Sequence, residues 1–105
     1  MIIVAGHIRV SAESRNIFLE GSAEAVRLAR EEPDCLDFSV SADCVDEERV
    51  NVFERWQNRS ALMSFRGEGP TDGQSAQIIS AEVIEFEVES LWRDPAIDDP
   101  GSERM

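Results

Sequence analysis

Residues 35–57 read CLDFSVSADCVDEERVNVFERWQ, and this stretch decides the fold. Leu36, Phe38 and Val40 alternate with Asp37, Ser39 and Ser41 across Cys35 to Ala42, the period of two expected of a strand with two unlike faces. The acidic connection 43–48 is too short to hold a crossover helix, and 49–57 is extended again. Two strands joined so closely pair antiparallel. The centre of the chain is therefore a hairpin.

On the N-terminal side, Ile2, Val4, Gly6, Ile8 and Val10 alternate with Ile3, Ala5, His7 and Arg9, which predicts a first strand over residues 2–10. Ser11 is a candidate cap for a helix running to about Glu32, with Glu13 in its positive first turn. Phe18, Gly21, Ala25, Leu28 and Ala29 recur at spacings of three and four, opposite Glu20, Glu24, Arg27 and Glu31. Pro33 ends the helix, because the residue before a proline is pushed out of helical geometry.

On the C-terminal side, Asn58 is a plausible cap for a short helix carrying Ala61, Leu62 and Phe65, interrupted by Gly67-Glu68-Gly69-Pro70. Thr71-Asp72-Gly73-Gln74 has the form of a capping box for another short helix ending near Ser80. Residues 81–91 give the last strand, with Ile84, Phe86 and Val88 alternating against Glu85, Glu87 and Glu89. From Trp92 onward the chain is polar and broken by proline, so 92–105 reads as a flexible acidic tail on a domain of residues 1–91. The order β-α-β-β-α-β predicts an α+β, ferredoxin-like sandwich, an antiparallel sheet with its helices on one face.

Composition bounds the function. The 105 residues hold 10 arginines and no lysine against 22 acidic residues, a formal charge of −12. Such a charge repels phosphate backbones and anionic lipid, so neither nucleic acid nor a membrane surface is an expected partner. With a mean hydropathy of −0.29, the chain has no apolar run near the roughly 20 residues a bilayer span needs. Met1-Ile2-Ile3-Val4-Ala5 lacks the basic start of a secretory signal, so a cytoplasmic location is expected. Cys35 and Cys44 are nine positions apart in extended chain, about 30 Å. The limit for a bridged pair is about 7 Å between Cα atoms, so both are expected as free thiols.

Helices on one face of the sheet leave the other to water, yet the first and third strands are apolar on both faces: Ile3 and Ala5 oppose Ile2 and Val4, and Phe53 opposes Val50, Val52 and Trp56. A second copy packed face to face would cover that side and make a symmetric homodimer. Space left between the two sheets becomes a concave, mostly apolar pocket, for which His7, Arg9, Glu54 and Trp56 are the available polar groups.

Ile3-Val4-Ala5-Gly6, the helix end Glu32-Pro33-Asp34-Cys35-Leu36, and above all Val52-Phe53-Glu54-Arg55-Trp56 followed by Ala61-Leu62 resemble the antibiotic biosynthesis monooxygenase domain. The resemblance spans residues 2 to 90. It implies a dimeric α+β barrel and, by analogy with members that act without flavin or metal, a cofactor-free oxygenase of small phenolic or quinol-type aromatics using dioxygen. It also implies that Trp56 matches the family's pocket tryptophan, and that His7 falls where haem-degrading relatives place an asparagine. Phe65 stands where many members have histidine, residues 71–80 contain no histidine, and Val52 stands where the polyketide oxygenases have asparagine, with Asn51 one step away on the other strand face. Haem degradation is therefore disfavoured.

Each candidate has two readings. His7, the only histidine, either accepts a proton from a phenol or is hydrogen-bonded at the dimer seam. Trp56 either stacks on substrate or serves as core. Glu54 orients His7 or acts as a base if desolvated; otherwise it pairs with Arg9, Arg49, Arg55 or Arg66. Phe38 and Phe65 are wall or core, and with Arg9, Val52 and Glu54 they make the expected substrate-binding set around a catalytic His7 and Trp56. Glu85, Glu87 and Glu89 read as a solvated strand face, and no metal is expected. A non-oxidative isomerase or ligand binder of the same fold is the competing function.

Overall fold

In a computed structural model, which describes residues 1–67 and 77–89, the chain forms β1 (Ile2–Arg9), α1 (Arg15–Glu31), β2 (Cys35–Ala42), β3 (Arg49–Trp56), α2 (Arg59–Arg66) and β4 (Ser80–Glu87). The four strands make one antiparallel sheet in the order β2-β3-β1-β4, the ferredoxin-like α+β arrangement. The capping box at 71–74 and the tail from Trp92 lie outside the described residues.

The register sorts every side chain onto a face. Ile2, Val4, Gly6 and Ile8 of β1 stand opposite Trp56, Glu54, Val52 and Val50 of β3. All of these face the helices. Six side chains on that side, Trp56, Ile2, Leu62, Val4, Val10 and Val50, are fully enclosed. Each such apolar side chain contributes about 1.5–3 kcal/mol relative to exposure. The other face carries Ala5 between Phe53 and Ile84, and Ile3 between Arg55 and Phe86. Phe53, Ile84 and Phe86 are 37%, 52% and 48% exposed there, so one face of the sheet is apolar and uncovered by the described residues.

Gly6 is fixed by its surroundings. Its φ is +156°, and a Cβ at that position would lie 2.0 Å from the carbonyl oxygen of Glu82 on β4. No side chain fits between β1 and β4 here.

Two local readings are adjusted by the structure. The Ser14 amide donates to the Ser11 side chain at 3.1 Å, but residues 12–14 form a turn and α1 itself starts at Arg15, three residues past the expected first helical position. The hydroxyl of Ser11 is spent on that turn. Along α1, Phe18, Ser22 and Ala29 are buried, whereas Leu28 is exposed because the space beneath it is open. At the second helix, the Asn58 side chain accepts the Ala61 amide at 2.8 Å, a cap in the expected place.

Candidate functional site

The open space beneath α1 is a cavity of about 700 Å³ between that helix and the sheet. Phe38 and Val40 of β2, Val52 and Glu54 of β3, and Phe65 and Arg66 of α2 line one part of it; Phe18, Gly21, Ala25 and Leu28 of α1 roof it. The roof is thin because α1 presents glycine and alanine where a bulky core residue would fill the gap.

Glu54 is the chemically unusual member. It is 8% exposed, and its Oε1 accepts the Trp56 indole Nε1–H at 2.9 Å. Alternation along β3 puts the two residues, i and i+2, on the same face, so the bond needs no loop to set it. The other oxygen, Oε2, makes no hydrogen bond among the described residues. Burial pushes the Glu54 carboxyl above the ordinary carboxylate range, while the Trp56 hydrogen bond and the Arg66 charge pull the other way. Of the four arginines weighed as partners, Arg66 alone acts on it, and through charge rather than contact.

Trp56 stands behind the cavity wall. It is fully buried, with its ring 6.3 Å from Phe38 at 87° and 5.3 Å from Phe65 at 36°; Phe38 and Phe65 lie 5.6 Å apart. Phe38 meets both other rings edge-on and Trp56 meets Phe65 tilted, so each ring is held by the other two. The tryptophan thus holds Glu54 and backs the two phenylalanines that touch the cavity.

The predicted set divides between the two faces of the sheet. Phe38, Val52, Glu54 and Phe65 come together around the cavity, with Trp56 behind them. His7 and Arg9 lie on the opposite face: His7 Nε2 is 3.8 Å from Glu82, and Arg9 pairs with Asp46 at 3.0 Å. One polypeptide therefore does not place His7 beside Glu54. Asn51, across from His7, is held by Arg49 and Asp43.

Sequence reasoning missed the part played by Glu85. It is exposed, as a solvated strand face requires, and it also accepts from Arg59 at 2.9 Å and Arg66 at 3.2 Å, which pulls its carboxyl below the usual range. Arginines at both ends of an eight-residue helix were the available signal. Among the described residues no group of three His, Cys, Asp or Glu side chains is placed to hold a metal ion. Likewise no described helix is long and apolar enough to cross a membrane.

A sheet in this order, a cavity under the first helix and a tryptophan-backed wall on the third strand can be compared with known proteins. The sequence profile described as "Antibiotic biosynthesis monooxygenase" matches residues 1–70. The chain belongs to the antibiotic biosynthesis monooxygenase family. A solved structure from Caulobacter crescentus CB15, whose name places it provisionally in this family, superposes with a TM-score of 0.76 at 15% identity, over 85% of this chain and 90% of that one. A conserved protein from Methanosarcina mazei Go1 gives 0.75 at 16% identity, over 84% and 92%. A structure described as an antibiotic biosynthesis monooxygenase gives 0.70 at 22% identity, over 86% and 100%. At these identities the likeness is one of fold. By sequence, an uncharacterized Synechocystis protein, sll1783, is 34% identical over 61 residues, which are 58% of this chain and 42% of that protein. The match spans about two fifths of that relative's length.

Proposed function

We propose that this family member is a cytoplasmic, homodimeric, cofactor-independent monooxygenase that oxidises a small phenolic or quinol-type aromatic with dioxygen. The observation that carries the reading is Glu54: a buried carboxylate with one oxygen held by Trp56 and the other without a hydrogen bond among the described residues, in an aromatic-walled cavity of about 700 Å³. Such a volume lies within the range of small-molecule sites.

The substrate ring lies against the Phe38 and Phe65 wall with its acidic proton toward Glu54 Oε2. Burial brings the carboxylate closer in basicity to the weak carbon or oxygen acid it must deprotonate. The electron-rich anion gives an electron to dioxygen; the two radicals join in a C–O bond, and the peroxide breaks its O–O bond with loss of water. A ring methylene plus dioxygen becomes a carbonyl plus water, and all four electrons that reduce dioxygen come from that carbon. Trp56 holds Glu54 in place. His7 belongs, in this reading, to the dimer seam on the uncovered face, where Phe53, Ile84 and Phe86 meet their copies.

The second reading is an isomerase or ligand binder of the same fold, favoured by the same group: one carboxylate can take a proton from one carbon and return it to another with no oxidant. Oxygen uptake separates them. Adding anthrone or a hydroxyanthrone should consume one dioxygen per anthraquinone formed, with water as the other product, and Glu54→Gln should sharply reduce uptake while His7→Ala retains it. Tight binding of the same compounds with no uptake leaves the isomerase or binder, and a flavin or haem absorption band in the purified protein overturns cofactor independence.

A further inference from the structure

The cavity has two chemically unlike ends. Ile8, Phe18 and Ile78 line one, next to the apolar cluster that also holds Val10 and Val50. The other end holds Glu54, with Glu31 and Glu32 also lining the cavity. Glu31 is the last residue of α1 and Glu32 its C-cap. The carbonyls there carry about half an elementary negative charge.

The arginines near this end each have another partner, although Arg66 still acts on Glu54 through its charge. Arg30, the basic residue of the last turn, gives its Nε to the Phe38 carbonyl at 3.0 Å. Arg66, which lines the cavity, is paired with Glu85, as is Arg59. Glu24, also on the lining, is paired with Arg27. Neither Glu31 nor Glu32 forms an ion pair among the described residues, although Arg27 is near enough to feel Glu31. Independently of these two, Glu54 lines the same space, is buried, and has no hydrogen bond to Oε2 among the described residues.

We infer that the cavity selects an aromatic ring bearing a cationic amine, with the ring against Phe38 and Phe65 and the ammonium at the Glu31–Glu32 end, and rejects rings bearing a carboxylate. This deepens the function proposed above and rests on it, since it presumes that the cavity takes an aromatic guest. Opposite charge is favoured at a helix C-terminus, and a carboxylate placed there would face the helix end and two glutamates of the same sign.

The test uses three compounds with one ring system, 2-(1-naphthyl)ethylamine, 2-(1-naphthyl)ethanol and 1-naphthylacetate, titrated calorimetrically into the full chain at pH 7. The amine should bind at least about tenfold more tightly than the acid, a difference of about 1.4 kcal/mol, with the alcohol between them. That gap should narrow at high salt and in Glu31→Gln/Glu32→Gln, with the amine losing more affinity than the alcohol. Equal or reversed affinities, or a gap that survives the double substitution, overturn the inference. If the alcohol binds and charge makes no difference, the aromatic cavity stands and only the selectivity falls. If none of the three binds, both fall.

Discussion

Trp56 donates its indole N–H to Glu54 Oε1 across 2.9 Å, from two positions along the same strand. The bond fixes which oxygen of the carboxylate is occupied and leaves the other without a hydrogen bond among the described residues, on a side chain that lines the cavity. In the proposed mechanism one residue supplies the acid–base group and its neighbour on the same face supplies the orientation.

Replacing Glu54 by glutamine keeps an acceptor for the indole and removes the base. Oxygen uptake should fall by about 10²–10⁴-fold, the usual contribution of a positioned acid or base. Stability should move the opposite way. A carboxyl raised in the folded state holds its proton while the unfolded chain has lost it, so wild-type stability is fully present below the unfolded pKa and declines as pH rises through the folded one. Urea unfolding from pH 4 to 8 should therefore show Glu54→Gln gaining on wild type as pH increases. A constant difference across that range would place Glu54 in an ordinary solvated setting.

Trp56→Phe removes the donor and leaves Glu54 Oε1 unbonded. The lost hydrogen bond and the vacated indole volume should destabilise the protein by about 2–4 kcal/mol. Because the Trp56 bond lowers the Glu54 pKa, its loss should carry the acid limb of the activity profile to higher pH. An unmoved limb, with stability reduced, would make the tryptophan a packing residue alone.

Phe53→Glu places a charge in the middle of the uncovered apolar face, beside Ala5 and Ser39. The proposed dimer should dissociate, read by sedimentation velocity as a halving of mass, with the far-UV spectrum preserved. A wild-type chain that sediments as a folded monomer would remove the seam to which His7 is assigned.

Gly6→Ala forces a methyl toward the Glu82 carbonyl at a backbone angle that L residues avoid. Strain and overpacking together should cost about 3 kcal/mol or more. Amide exchange should locate the damage in β4, whose pairing to β1 must open to admit the carbon. Protection lost evenly over the molecule would argue against that site.

Asp43 accepts hydrogen bonds from Asn51, Asp46 and Val45, which lowers its carboxyl to about 2. A depressed acid stabilises the fold above its unfolded pKa and loses that contribution as pH falls through the folded one. Asp43→Ala should therefore be less stable than wild type at pH 5 to 7. The two should converge as pH falls from about 4 toward 2. Parallel acid-unfolding curves would contradict this.

The hairpin, the strand periods, the Asn58 cap and the order of elements were legible because each is local: alternation and capping chemistry are written within a few residues. What the periods could not give was the register between β1 and β3. Alternation says that His7 differs in face from Ile8, and Glu54 from Phe53, but only the pairing of His7 with Asn51 and of Val4 with Glu54 decides that His7 and Glu54 look in opposite directions. Leu28 illustrates the complementary limit. Its spacing marks it as helix-inward, and it is inward, yet Gly21 and Ala25 on the same side leave the space below unfilled, so it borders a void instead of a core.

Glu85 receives α2 at both extremities, Arg59 from its first residue and Arg66 from its last, about 10 Å apart along the helix axis. A single carboxylate on the outermost strand thus brackets the helix that carries Phe65. Such solvent-facing contacts weaken as dissolved ions accumulate. The tightness of the aromatic wall is in this way tied to the ionic medium around the molecule.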